Sequence, residues 1–177
     1  MAALDDIAKL VSAHTSQPPL EKWHPELSGD IDIVIGSDGR WFHEGDEIKR
    51  RELVKLFSSI LRREEDGCYY LVTPVEKWRL VVEDLPFTVV DMEVSDDPIP
   101  AIAVKTNTGQ WFELSAEHPL TVTTSADQEP QPEVTTLRGM GARVNRPCFY
   151  RLVALASEEG RELVLHCRGG RFSLGKL

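Results

Sequence analysis

The chain has few of the features that would name a chemistry. Its three cysteines, Cys68, Cys148 and Cys167, form no CxxC pair and leave one over, which fits reduced thiols and not a disulfide frame. No apolar run approaches the ~20 residues that a membrane span needs. The first residues, MAALDDIAKLVSA, carry acids where an export signal carries basic groups, so a cytoplasmic protein is expected. The five histidines lack HExxH or His-x-His spacing, and no G-x-S-x-G, P-loop or G-x-G-x-x-G occurs. No metal and no cofactor is therefore expected.

Positive charge is also scarce. A net charge of −9 argues against nucleic acid as a partner, since phosphate neutralisation needs a positive surface. The balance is uneven, however. Residues 138–177 hold eight basic groups and three acids, whereas residues 1–137 hold twelve and twenty-six. A solvated basic face explains this most simply. A phosphate-bearing small ligand is the sharper reading.

What is present is pattern. Residues 4–14 read as a short amphipathic helix, followed by a Pro-rich connector in which Trp23 and Leu27 are expected to be anchors. Ile31, Ile33 and Ile35 alternate with Asp32 and Val34 as a strand, SDGR turns the chain, and Trp41 begins the return. Leu53, Leu56, Phe57, Ile60 and Leu61 mark one face of a central helix that ends by Gly67. Strands follow at 68–72, 78–82, 87–94, 99–105, 110–114, 120–124 and 134–137. SADQEPQPE reads as a polar loop and RGMGARVNR as a bend. Pro147 starts a second helix reaching about Ala156, and strands 162–167 and 171–174 close the chain around a Gly–Gly turn.

Two pieces recur. SDGRWF at 37–42 matches NTGQWF at 107–112, and the helix-plus-hairpin after Arg50 matches the one after Arg146. The fold class expected is α+β, a duplicated helix-plus-antiparallel-strand unit. Residues 1–28 form an N-terminal helix and connector, 29–84 the first repeat, and 85–177 a second repeat with an extra strand pair.

The segments GDIDIVIGSDGRWFHEGDEIKR, LFSSILRREEDGCYYLVTPVEKW, VEDLPF and ARVNRPCFYRLVALA resemble the bacterial family catalogued as domain of unknown function 1285, with TPVEK and VEDxPF as the most specific parts. The resemblance implies a duplicated α+β core whose second half is loosely pleckstrin-homology-like. It also implies a ligand site between the halves for a nucleotide-like molecule, and a role in signalling. It implies no reaction.

Candidate ligand-binding residues are Arg50, Thr73, Glu76, Lys77, Asp84, Arg146, Tyr150 and Trp41. Arg50 and Arg146 each fall about 45° from the centre of a helix's apolar face, at a helix start, where the dipole disfavours a cation. A half-buried guanidinium there needs a carboxylate or a bound anion. Internal ion pairs to Glu76, Glu83 or Asp84 would serve as well as a ligand. Thr73, Glu76 and Lys77 occupy a hairpin tip, which is polar whether or not it binds anything, and Asp84 fits a turn cap. Trp41, Trp111, Phe149 and Tyr150 could stack on a base, although core packing is the commoner fate of such rings. Cys148, at a helix start, would favour a thiolate.

The function expected is thus a ligand-binding or signalling module holding an anionic, nucleotide-like small molecule at the interface of its repeats. The alternatives are a protein-interaction domain working through strand edges, and a hydrolase or transferase using Glu76, Asp84 or His43 as general acid–base.

Overall fold

The computed structural model describes residues 18–177. The expected helix at 4–14 lies outside the described residues. Backbone contacts divide the chain into two compact units, meeting at Asp84 and Leu85.

The first unit is a six-stranded sheet. Its strands are β1 (Gly29–Ile35), β2 (Trp41–His43), β3 (Asp46–Glu47), β4 (Leu61–Arg63), β5 (Tyr69–Val72) and β6 (Lys77–Val82), in the order β3-β2-β1-β6-β5-β4. Strand β1 owes its place to alternation: Ile31, Ile33 and Ile35 are buried while Asp30 and Asp32 face solvent. Its β1–β6 pairing is parallel and every other pairing is antiparallel. Helix α1 (Arg51–Ser59) lies in the chain between β3 and β4. It is shorter than its apolar spacing predicts. Ile60 and Leu61 are buried as expected, but from the loop and strand that follow the helix.

The second unit carries β7 (Phe87–Val94), β8 (Ile102–Thr106), β9 (Trp111–Glu113), β10 (Leu120–Thr124), β11 (Pro130–Thr135) and β12 (Gly141–Val144), in the order β10-β11-β12-β7-β8-β9. Read from its other end, this is the order of the first sheet. Two three-stranded meanders meet at a parallel pair made by the first and last strands, β1–β6 in one unit and β7–β12 in the other. Helix α2 (Arg146–Leu155) and a separate antiparallel sheet of β13 (Ser157–Glu159), β14 (Glu162–Cys167) and β15 (Gly170–Lys176) follow. The β14–β15 turn lies tight against the end of β9. A Cβ on Gly169 would collide with the Leu114 carbonyl.

The architecture is therefore mixed α and β, mostly sheet, in two units with a shared strand order. The correspondence differs from the one the sequence suggests. SDGRWF and NTGQWF do form like turns: Gly36 N–H bonds Arg40 O, and Thr106 N–H bonds Gln110 O, each at 2.8 Å. The first turn joins strands one and two of its unit, but the second joins strands two and three. The two tryptophans differ accordingly. Trp41 is 1% exposed and Trp111 is 43% exposed. The helices also differ, since α1 interrupts the first six-stranded pattern and α2 follows the second. The matched pieces share turn chemistry, while the repeat of the fold lies in the order of the strands.

Candidate functional site

The sequence-predicted residues fall into both units. In the first, Trp41 is core, stacked on Phe57 with ring centroids 6.4 Å apart, so no face is left for a base. Its indole Nε1 is buried without a hydrogen-bond partner among the described residues. Thr73 is also buried, and its hydroxyl oxygen accepts from the backbone N–H groups of Val75 and Glu76 at 3.3 and 2.9 Å, which makes it a turn former. Glu76 accepts from Trp78 Nε1 at 3.4 Å. Asp84 is exposed at the end of the unit. Of the other acid–base candidates, His43 lies 3.8 Å from its neighbour Glu44.

Lys77 is occupied. Its ammonium reaches Glu64 at 2.8 Å and lies 4.8 Å from the centre of the Tyr70 ring. Glu64 also takes the Nε and Nη2 groups of Arg62, at 3.1 and 2.5 Å, and Arg62 Nη1 bonds the carbonyls of Leu20 and Trp23 at 3.0 and 2.8 Å. Burial pushes the Glu64 carboxyl up, but the hydrogen bonds from Lys77 and Arg62 outweigh it and hold the group below its ordinary range. Tyr70 donates to Asp66, which pushes the phenol up to about 12 and holds Asp66 low. This network, which the sequence reading missed, ties the connector to the sheet. Trp23 is an anchor as expected, 8% exposed, whereas Leu27 is 50% exposed.

Arg50 and Arg146 are both exposed, contrary to the expected partial burial. Arg50 is the extended residue before α1, so a helical wheel does not place it. Arg146 is the first residue of α2, whose buried face is Cys148, Phe149 and Leu152. Those residues centre the face about 110° away from Arg146. Neither arginine makes an ion pair or hydrogen bond through its side chain among the described residues, so the expected links to Glu76, Glu83 or Asp84 do not form. Glu83 instead accepts from Ser37 N–H at 3.2 Å. Elsewhere in the basic C-terminal third the charges are largely matched, with Arg151 on Asp91, Arg168 on Glu113, and Arg171 on Glu159 and Glu162.

Arg146 and Tyr150 share a groove of about 400 Å³ in the second unit. One wall is the start of β11, residues 129–132; the other is the end of β12 and the first turns of α2, with Arg143, Arg146, Phe149 and Tyr150. The local sequence makes this opening. Asn145 ends β12 by capping α2, its side-chain oxygen accepting from Cys148 N–H at 2.9 Å, and Pro147 suits the first helical turn. The β11–β12 ladder therefore stops at Glu133 and Arg143, and the earlier part of β11 is paired only with β10. Pro130 and Pro132 fall in that part, where an absent N–H leaves no orphaned donor.

Two sequence expectations change here. SADQEPQPE reads as loop in the sequence, but β11 begins at Pro130; and the ARV of RGMGARVNR lies in β12, behind a turn in which Arg138 adopts φ 56°. Arg143, placed by that strand, was not a candidate. The expected thiolate at Cys148 is disfavoured, because burial pushes its thiol up and neighbouring Arg151 only partly offsets this. Among the described residues, no group of three or more His, Cys, Asp or Glu is placed to hold a metal ion, and no helix is long and apolar enough to cross a membrane.

Comparison with known proteins agrees across the whole described chain. Residues 18–85 match the model of the N-terminal domain of DUF1285, a domain of unknown function, and residues 86–174 match that of its C-terminal domain. A crystal structure of a DUF1285 family protein from Silicibacter pomeroyi DSS-3 is similar at 36% identity and a TM-score of 0.92, covering 100% of this chain and 97% of that one. A second, from Shewanella baltica OS155, is similar at 30% identity and a TM-score of 0.55, covering 70% of this chain and 91% of that one. No curated protein matches. With a family model over each unit and a solved relative along its full length, the chain belongs to the DUF1285 family.

Proposed function

We propose that this protein is a ligand-binding module, used in signalling, that holds an anionic, nucleotide-like small molecule. The observation that carries the reading is the groove beside α2, where the guanidinium of Arg146, unpartnered among the described residues, and the 62%-exposed ring of Tyr150 meet Arg143. A cation without a carboxylate, set beside an open aromatic ring, suits an anion attached to a flat group. The pleckstrin-homology-like likeness of the second unit, a duplicated origin for the two sheets and a cytoplasmic location belong to this same proposal. The first-unit residues Thr73, Glu76 and Lys77 enter it only weakly, since all three are bonded within their own unit.

Strand addition by a protein partner has less support. The sheet edges β3, β4, β9 and β13 are two or three residues long, which offers few backbone groups to an incoming strand, whereas the edges β10 and β15 run five and seven residues.

Thermal unfolding against a panel of nucleotides, sugar phosphates and aromatic carboxylates tests the reading. A ligand present at 100 times its Kd stabilises the folded chain by about 2.7 kcal/mol, or about 5–10 °C for a chain of this size. The expected result is a shift with one anionic class that disappears in Arg146→Met. A flat panel would overturn it.

A further inference from the structure

The groove beside α2 also constrains the charge and shape of what enters it, and this step rests on the ligand-binding reading above. The backbone edge of its β11 wall offers acceptors only. Glu129 directs its carbonyl to Ser125 N–H on the β10 side, at 2.8 Å, so residues of the opposite parity direct theirs away from β10. Pro132 shows this directly, because its carbonyl accepts from Arg143 Nη1 at 3.3 Å. The backbone groups of Pro130 and Pro132 thus face the groove, and proline supplies a carbonyl there but no N–H. An added strand, which needs both partners, is refused. A ring bearing N–H donors is suited.

The charges balance almost fully before any ligand arrives. Arg143 and Arg146 are set against Glu129 on the groove wall and Glu133, which lies opposite Arg143 in the ladder and folds over Gly141. Two cations and two carboxylates leave no excess for a polyphosphate. The Arg146 guanidinium is without a partner among the described residues, so one compact anionic group has a place to go. Tyr150 lies four residues on along α2, about 6 Å away between Cβ atoms on the same face. A cavity of about 400 Å³ is small for a ligand site.

We propose that the groove takes a flat, N–H-bearing ring carrying a single phosphate or carboxylate, and discriminates against polyphosphates. The anion meets Arg146, the ring lies on Tyr150, and the ring's N–H groups face the carbonyls of Pro130 and Pro132.

Isothermal titration of the full chain with adenosine, AMP, ATP and 4-aminobenzoate tests this. The expected result is binding of AMP, of 4-aminobenzoate or of both, which separates the phosphate source from the carboxylate. Adenosine should bind at least tenfold more weakly than AMP where AMP binds, and ATP no more tightly. Arg146→Gln should weaken the bound anion tenfold or more, because a charged hydrogen bond is lost. Tyr150→Ala should weaken it, and Tyr150→Phe should restore it, since stacking needs no hydroxyl. Tighter binding of ATP than of AMP would overturn the single-anion proposal while leaving the anion-binding reading in place. Equal binding of adenosine and AMP, or indifference to Arg146→Gln, would overturn the assigned contact. Binding of none of the four, by a chain that responds to no other anion either, would overturn both.

Discussion

Replacing Arg62 with Met should loosen the whole first unit. Arg62 is 18% exposed and makes four hydrogen bonds: to the carbonyls of Leu20 and Trp23, and twice to Glu64. The two carbonyls lie 42 and 39 residues away in sequence, so this single guanidinium closes the connector onto the sheet. Each charged hydrogen bond contributes about 1.5–3 kcal/mol. Methionine preserves much of the apolar stem, Glu64 keeps Lys77 at 2.8 Å, and a loosened connector returns its carbonyls to water. The net loss is then about 2–3 kcal/mol, or about 5–10 °C in Tm. Circular dichroism melting reads the shift, and hydrogen exchange should show faster exchange at Trp23 N–H, which bonds Leu20 O. Arg62→Lys should recover only part of the loss, because an ammonium cannot span the carbonyls and the carboxylate at once. A Tm within 1 °C of the parent protein would refute the strap.

Four further outcomes follow from the same geometry. Glu64 has a folded pKa below its unfolded one, so its stabilisation is present above about pH 4.3 and is lost as pH falls through the folded value; Glu64→Gln should flatten the Tm decline between about pH 5 and 3. Tyr70 should ionise near pH 12 in ultraviolet titration of the folded protein, and Asp66→Asn should bring it down toward about 10. Gly169→Ala should cost about 2 kcal/mol in urea unfolding, since the new Cβ meets rigid backbone of Leu114 and Ser115. Thiol labelling at neutral pH should reach Cys68 first, because Cys148 and Cys167 are buried and burial holds Cys148 protonated.

Local pattern carried much of the fold into view. Strands 87–94, 120–124 and 162–167 stand where their alternation or turn residues put them, because each is bounded by glycine, proline or acidic turns. The helix at 51–59 was overextended because Ile60 and Leu61 are buried in either conformation, and apolar spacing cannot tell a last helical turn from a buried strand. Pro130 and Pro132 read as loop, since proline argues against a strand with neighbours on both sides; β11 has only β10 beside it at those residues. Arg146 and Tyr150 were candidates from a helical wheel that put Arg146 near the apolar face, whereas Arg146 is exposed and both residues line the groove beside α2. Arg143 was not, because it depends on a strand hidden in a glycine-rich segment. The Arg62 strap joins residues some forty positions apart, and no local signal reports such a contact.

Binding of an anionic ring in the groove beside α2 of the second unit can be mapped residue by residue. Amide chemical-shift mapping on labelled protein, with AMP as the probe and 4-aminobenzoate in parallel, tests it most directly. Shifts concentrated at residues 129–133 and 143–150, lost in Arg146→Gln, are expected. Shifts confined to Thr73–Lys77 in the first unit, or none with either probe at millimolar concentration, would contradict it.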